Sequence, residues 1–413
     1  MSEERSSAGN TLSESFLAPR MSRFKPSPSQ IASARVRDLI AEGRDIIKLT
    51  AGEPDFPAPA EAQAAVVALM RDNGVVYTPI NGTLELRKAI QHKFRRDNDL
   101  DYALDEIAVG SGTKQVIFNA LMATVHGGDE VIVLAPYWAS YPDMVKLAGG
   151  TPVIIDCPAE HGFKVTPQAL DAAITARTKW VMFNSPNNPT GALYSRAELA
   201  ALCEVLLAHP HVHVLADDVY EHLRFDGRDY ATFAQVEPRL KSRTLTCNGV
   251  SKGYSMTGFR CGFAGGPKAL ISNVSKMQSQ STAGANALGM AAAAAVLTLP
   301  LDEVRARTTN LQRRRDMLFD ALSQVELLTC ARPEGAMYLY MSCAGAIGKR
   351  GPDGRVIDND TDFVMYLLDT VGVAVVQGEA YGLSPYFRAS FVAPETDLLR
   401  GAELIRQACA ALE

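Results

Sequence analysis

The stretch Thr244-Leu-Thr-Cys-Asn-Gly-Val-Ser-Lys-Gly-Tyr-Ser-Met-Thr-Gly-Phe-Arg-Cys-Gly-Phe263 decides how the rest of the chain is read. A short β-prone run, Thr244 to Cys247, leads into Asn248-Gly249 and then Ser251-Lys252, with Arg260 eight residues beyond the lysine. Gly249, Ser251, Gly253 and Ser255 keep the surroundings of Lys252 small, which suits a backbone passing close to a ligand. A lysine desolvated in such a place has a depressed pKa, and its amine is free for Schiff-base chemistry. A single lysine in a polar loop is ordinarily a surface residue. Four further stretches ask for the same ligand and tip the balance.

Outward from this stretch, short apolar runs alternate with helical spacing. Strands are expected at Ile107 to Gly110, Glu130 to Leu134, Pro152 to Ile155, Trp180 to Phe183 and His211 to Ala216, and around Leu245 and Cys247. Helices are expected between them at Lys114 to Val125, Tyr141 to Ala148, Pro167 to Ala176 and Arg196 to His209. That order predicts an α/β fold with a mostly parallel sheet covered by helices on both faces. Ligands of such sheets sit outside the C-terminal strand ends.

Toward the N-terminus, 1–20 reads as a disordered arm and Phe24 to Ser29 as a turn or extended segment. Gln30 to Gly43 reads as a helix, Ile46 to Thr50 as a strand, and Ala60 to Met70 and Leu84 to Arg95 as helices. Beyond about residue 300 come a long charged helix to Leu322, short strands near Ala336 to Tyr340 and Val373 to Val376, and a helix from Asp362 to Thr370. The expected layout is a segment 21–59 packed on a small α+β domain 301–413, with a large domain 60–300 between. The Gly-rich loop Gly345 to Asp360 belongs on the surface.

A chain of 413 residues exceeds one small core. A net charge of −5 argues against nucleic acid or an anionic membrane as partner. Seven cysteines without a C-x-x-C pair read as reduced thiols of a cytoplasmic protein, not a disulfide or metal framework. No apolar run approaches the roughly 18 residues of a membrane span, and the polar N-terminus lacks the apolar core of a secretion signal.

The other stretches each carry one piece of chemistry. Gly110-Ser111-Gly112-Thr113 turns from a strand into a helix, where exposed N–H groups and a hydroxyl suit a phosphate. Asn184-Ser-Pro-Asn-Asn188-Pro-Thr-Gly191 sets Asn188 at a strand end, as a donor for a phenolate oxygen or as part of a plain Asx turn. Asp217-Asp-Val-Tyr220 offers a carboxylate to hold a pyridine nitrogen protonated and a tyrosine for the ring oxygen, or equally a helix N-cap aspartate with a packing tyrosine. Asp218 is a rival that the D-x-x-Y spacing sets aside. Arg388, on the β-prone run Tyr386 to Ser390, suits a two-pronged grip on a carboxylate. Trp138 can cover a flat ring, whereas Trp180 reads as core. Together these groups match the needs of pyridoxal phosphate.

On these motifs, with Thr50-Ala-Gly-Glu-Pro-Asp-Phe56, the chain resembles the pyridoxal-phosphate aminotransferases of class I and II, fold type I. It is most similar to the bacterial aspartate aminotransferases of the aspartate/prephenate type. The likeness covers about 22–410. It implies a seven-stranded, mostly parallel sheet in the large domain and a ping-pong exchange between an L-amino acid, aspartate or glutamate first, and a 2-oxo acid such as 2-oxoglutarate or oxaloacetate. It implies that Lys252 bonds the cofactor and then moves the proton, that Asp217 pairs with the ring nitrogen, and that Tyr220 and Asn188 hold the ring oxygen. Ser111, Gly112, Thr113 and Arg260 would bind phosphate, and Trp138 would cover the ring. Arg388 would hold the substrate α-carboxylate with Gly52 and Asn188. Tyr77 would reach the phosphate of the neighbouring subunit in an obligate homodimer with shared sites. Lys114 matches a lysine that reads acidic side chains, and it is also an ordinary first-turn helix lysine. The loop Gln278 to Ala285 has no arginine for that task.

The chain departs from the common pattern at Gly249 (often serine), Gln377 (often proline), Met337 (often aromatic) and Phe259 (often tryptophan). The last three are expected near the substrate. Two other functions stay open: a lyase or related enzyme with the same cofactor, since one fold hosts several chemistries, and a ligand-sensing regulator. The regulator would need a DNA-binding domain that the short arm does not supply.

Overall fold

The computed structural model describes residues 16–24 and 28–413, with side chains described from residue 34 onward in the first long helix. The strands in chain order are β1 (Ile47–Lys48), β2 (Ile107–Gly110), β3 (Glu130–Ala135), β4 (Thr151–Asp156), β5 (Thr178–Asn184), β6 (His213–Asp217), β7 (Thr244–Gly249), β8 (Gly262–Gly265), β9 (Tyr338–Ser342), β10 (Val373–Ala374), β11 (Val376–Gln377) and β12 (Tyr386–Ser390). Seven of them form one sheet in the order β2-β8-β7-β6-β5-β3-β4. Neighbours are parallel except β8, which runs against both β7 and β2.

Strands β3, β5, β6 and β7 are almost wholly buried because both faces are covered, whereas β4, at the edge of the sheet, is largely exposed. One face packs Val131, Val133, Trp180, Met182 and Leu215 against the helices Thr113–Thr124 and Lys268–Ser279. The other packs Ile132, Val181, Phe183 and Val214 against the helix Arg196–Ala208. A capping box, Ser195 with Glu198, starts that last helix. Trp180 is core, as expected, and its indole N–H donates to Thr124.

Register sets the working edge. Asn184 on β5 lies opposite Asp217 on β6, and Asp217 opposite Cys247 on β7. β5 and β6 therefore end at one level, β7 runs on to Gly249, and the turn after it carries Lys252.

The C-terminal part is an antiparallel sheet, β11-β12-β9, backed by the helices Asp302–Leu322, Asp360–Val371 and Glu395–Ala410. The N-terminal segment joins it: β1 pairs with β10, while Val36 and Leu39 pack on Leu368 and Ala374.

Several local expectations shift. The first helix begins at Pro28, so Pro28 and Ser29 are helical and not part of an extended turn; proline is favourable at a helix start because its missing N–H would be unpaired there. Residues 1–15 of the expected arm lie outside the described residues, while Pro19–Arg23 forms a 3₁₀ turn against the helix Tyr141–Leu147. The single strand expected over Val373 to Val376 is two, because β10 and β11 join different sheets. The loop 345–360 is mostly exposed but buries Ala346, Ile357 and Asp360. Strand β8 and the helices Lys268–Ser279, Ala287–Leu297 and Glu395–Ala410 were not anticipated. Among the described residues no single helix is long and apolar enough to cross a membrane.

Candidate active site

A cavity of about 480 Å³ opens at the C-terminal ends of β5, β6 and β7. Gly52, Thr113, Lys114, Trp138, Asn188, Asp217, Tyr220, Lys252, Arg260 and Arg388, all anticipated from sequence, line it.

Asp217 closes the inner end and is 4% exposed. The Tyr141 hydroxyl donates to its Oδ2 at 2.6 Å, and its Oδ1 is buried without a partner. Burial pushes this carboxyl up to about 6, against the Tyr141 hydrogen bond and the nearby Lys252 amine. An uncompensated buried carboxylate oxygen is costly, so the site is built for a cation or donor to arrive. Asn184 fixes the strand end by donating to the Asp217 carbonyl at 2.8 Å. Asp218 does not line the cavity; its carboxyl is fully buried near Thr232 and Tyr230 and pushed up to about 7 by burial.

Lys252 is held in the turn after β7, its amine donating to the Gly52 carbonyl and lying 5.8 Å from the Tyr220 ring centroid. Burial lowers its pKa, which leaves more of the free amine at neutral pH. The turn into the helix Thr113–Thr124 lies beside it on the cavity wall. Gly112, in the left-handed region at φ 85°, caps the helix that starts at Thr113, whose hydroxyl donates to the Asn248 carbonyl at 2.9 Å. Arg260 reaches over that cap, donating to the carbonyls of Thr257 at 3.0 Å and Ser111 at 3.2 Å. A Cβ on Gly249 would lie 2.8 Å from Thr113 Oγ1, so the backbone here leaves little room for a larger residue. Ser111 borders a neighbouring hollow that also holds Tyr77, whose side chain is 95% exposed. Tyr77 therefore does not reach its own chain's cavity.

At the opposite wall, β12 points Tyr386, Arg388 and Ser390 one way and Phe387 and Ala389 into the core. Arg388 is 7% exposed; it donates to Asn188 Oδ1 at 3.1 Å and to the Thr50 carbonyl at 2.9 Å, and its Nε has no partner. Lys114 donates to Ser140 at 3.1 Å and sits 4.9 Å from the Trp138 ring centroid. Burial and the nearby Arg260 charge lower its pKa.

Met337, Gln377 and Phe259, expected near the substrate, are not on the cavity wall. Met337 is fully buried in the C-terminal core because strand alternation gives the cavity face to Tyr338. Sequence reasoning missed Tyr141, Asn184, Tyr338, Glu53 and Thr257, of which Thr257 donates to Glu53 at 2.9 Å. Asn184, Glu53 and Thr257 lie inside stretches that the sequence singles out, whereas Tyr141 and Tyr338 carry no local signal.

A buried ionic set lies outside the cavity: Lys93 pairs with Glu221, His222 lies 3.2 Å from Glu221, and Asp97 lies 3.5 Å from His222. The three acceptor groups stand close enough for a metal ion, but the Lys93 ammonium already reaches both carboxylates.

The family model for aminotransferases of class I and II matches residues 44–405. An aspartate/prephenate aminotransferase from Cereibacter sphaeroides is 49% identical, over 96% of this chain and 98% of that protein. The crystal structure of the aspartate aminotransferase from Rhizobium meliloti superposes with a TM-score of 0.94 at 48% identity, covering 96% of this chain and 99% of the other. A Thermus thermophilus aspartate aminotransferase with maleate gives 0.88 at 36% identity, over 95% and 99%. Enzymes of this family work with pyridoxal phosphate. The chain belongs to the class I and II aminotransferases and is a transaminating enzyme of the fold-type-I architecture.

Proposed function

We propose that this chain holds pyridoxal 5'-phosphate in the cavity and exchanges the amino group of aspartate or glutamate with 2-oxoglutarate or oxaloacetate. The observation that carries the reading is the unpartnered Asp217 Oδ1 sharing one cavity with the Lys252 amine and the Arg388 guanidinium. The donor set fits the cofactor: a carboxylate for its ring nitrogen, Tyr220 and Asn188 for its ring hydroxyl, and Ser111, Gly112, Thr113 and Arg260 for its phosphate. Bound there, the cofactor supplies an aldehyde that takes up the amino group and a charged ring that absorbs the electron pair left at Cα.

The protein's part follows from the geometry. Lys252 would anchor the cofactor and, once freed, would take the proton from Cα and return it to the carbon on the other side of the amino nitrogen, two bonds away; a positioned general base contributes roughly 10²- to 10⁴-fold. Asp217 keeps the ring nitrogen protonated. Arg388, with Asn188 and the Gly52 backbone, fixes the α-carboxylate so that the Cα proton faces Lys252. Trp138 covers the ring and limits water.

Among the described residues Lys114 is the one lysine besides Lys252 on the cavity wall, and we assign it the side-chain carboxylate. A carboxylated ring, such as prephenate, is the second reading, supported by the placement of Lys114 over Trp138. A panel of amino donors with 2-oxoglutarate tests the assignment. In Lys114→Ala, kcat/KM for aspartate falls by about 10- to 100-fold, the scale of one charge-assisted hydrogen bond, while donors with neutral side chains are little affected. Unchanged aspartate preference removes Lys114 from the assignment.

The working unit is read as a homodimer in which Tyr77 of each subunit completes the other's phosphate cradle. Its exposure, with Met70, Val75 and Val76 exposed beside it, supports this. The division into a large unit 60–300 and a smaller unit 301–413, with 21–59 on the latter, is supported by the β1–β10 pairing. The seven unpaired cysteines support a reducing, cytoplasmic setting.

A further inference from the structure

Tyr338 joins three groups that the sequence motifs leave separate. It opens β9, opposite Ser390 of β12, is 1% exposed, and lines the cavity. Its ring centroid lies 4.2 Å from the Arg388 guanidinium carbon, and Tyr381 covers that guanidinium from 5.2 Å. Two rings, together with the hydrogen bonds to Asn188 and Thr50, fix the guanidinium before any carboxylate arrives. The Tyr338 and Tyr220 hydroxyl oxygens are 3.0 Å apart, their rings edge-on. Gly52 comes close as well: a Cβ there would stand 3.6 Å from the Tyr338 hydroxyl. Among the described residues Tyr220 is the hydrogen-bond partner of that hydroxyl. A phenol that accepts from Tyr338 has its own proton free to turn elsewhere, and the donation makes it a stronger donor.

We propose that Tyr338 is a positioning residue of the reaction: its ring fixes Arg388 for the substrate carboxylate, and its hydroxyl turns the Tyr220 proton toward the ring oxygen of the cofactor. This rests on the transaminase reading above. The two jobs belong to different atoms and separate by mutation. Tyr338→Phe keeps the ring and loses the hydroxyl; Tyr338→Leu loses both.

The test uses the cofactor-loaded protein, with succinate as a non-reacting dicarboxylate probe. A donor to the cofactor's ring oxygen stabilises that oxygen's anionic form. Weakening the donor makes the bound cofactor hold its proton to higher pH. In Tyr338→Phe the pH midpoint of the cofactor's visible absorption rises by about half to one unit, the scale of one neutral hydrogen bond, while succinate binds within about twofold of wild type. In Tyr338→Leu succinate binding weakens by about 3- to 30-fold, as loss of a buried cation–π contact requires, and KM rises more than kcat falls. A merely structural residue would lower thermal stability without moving the midpoint. An unmoved midpoint in Tyr338→Phe, or wild-type succinate affinity in Tyr338→Leu, overturns the proposal while leaving the transaminase reading intact. A wild-type protein that takes up no cofactor overturns both.

Discussion

Asp217 shows how one side chain carries chemistry through its surroundings. Tyr141 occupies one oxygen, burial isolates the other, and the carboxyl is pushed up to about 6. In the cofactor-free protein a carboxyl raised in this way favours folding below its ordinary pKa of about 3.9. That contribution fades as pH rises through about 6, where the folded group must ionise without a partner. A cationic ring bound as proposed would restore the partner. The gain in Tm on adding cofactor is therefore larger at pH 8 than at pH 5, and calorimetry at the two values measures it. Asp217→Ala abolishes the pH difference and weakens cofactor binding by about 3 kcal/mol or more, since breaking a buried ion pair costs roughly 3–5 kcal/mol. Equal gains at both pH values would contradict the pairing. The aspartate was legible because a carboxylate ending an apolar run is unusual and the tyrosine three residues on fixed which of two to choose. Tyr141 and Tyr338 were not legible, because their roles come from register and helix placement, which local spacing does not encode.

Among the elements, β8 matters most to the site, and the sequence concealed it. Gly262 to Gly265 is too short and glycine-rich to read as a strand. The structure shows why glycine is there. A Cβ on Gly262 would collide with the Thr113 backbone nitrogen, so the absent side chain lets β8 lie against the start of the helix Thr113–Thr124. Gly262→Ala forces these two apart. Its expected cost is at least the ~1–3 kcal/mol of an overpacked core, with cofactor affinity falling in parallel; chemical denaturation and a cofactor titration read both. Wild-type stability and affinity would show that the junction tolerates the methyl. The inner parallel strands β3 and β6 were legible as near-continuous apolar runs, since both of their faces are covered. The helix Ala287–Leu297 is small and apolar on nearly every side, so it shows no amphipathic stripe to mark it.

For the whole molecule, two sheets meet at one cavity: the large sheet supplies Asp217 and Lys252, and the three-stranded sheet supplies Arg388 and Tyr338. The N-terminal segment closes the gap by placing Gly52 beside Lys252 while β1 pairs with β10. Tyr77 faces outward from this assembly, where the proposed second copy would use it. Sedimentation should find two chains of 44.5 kDa together, and Tyr77→Ala should weaken cofactor binding by about 10-fold, one charge-assisted hydrogen bond. A fully active monomer would refute the shared cradle. The most direct test of the whole account concerns Lys252. Borohydride reduction of the cofactor-loaded protein, followed by peptide mapping, should leave the cofactor permanently attached at Lys252 and at no other lysine. Absence of the attachment, or its appearance on any other residue, would contradict the account.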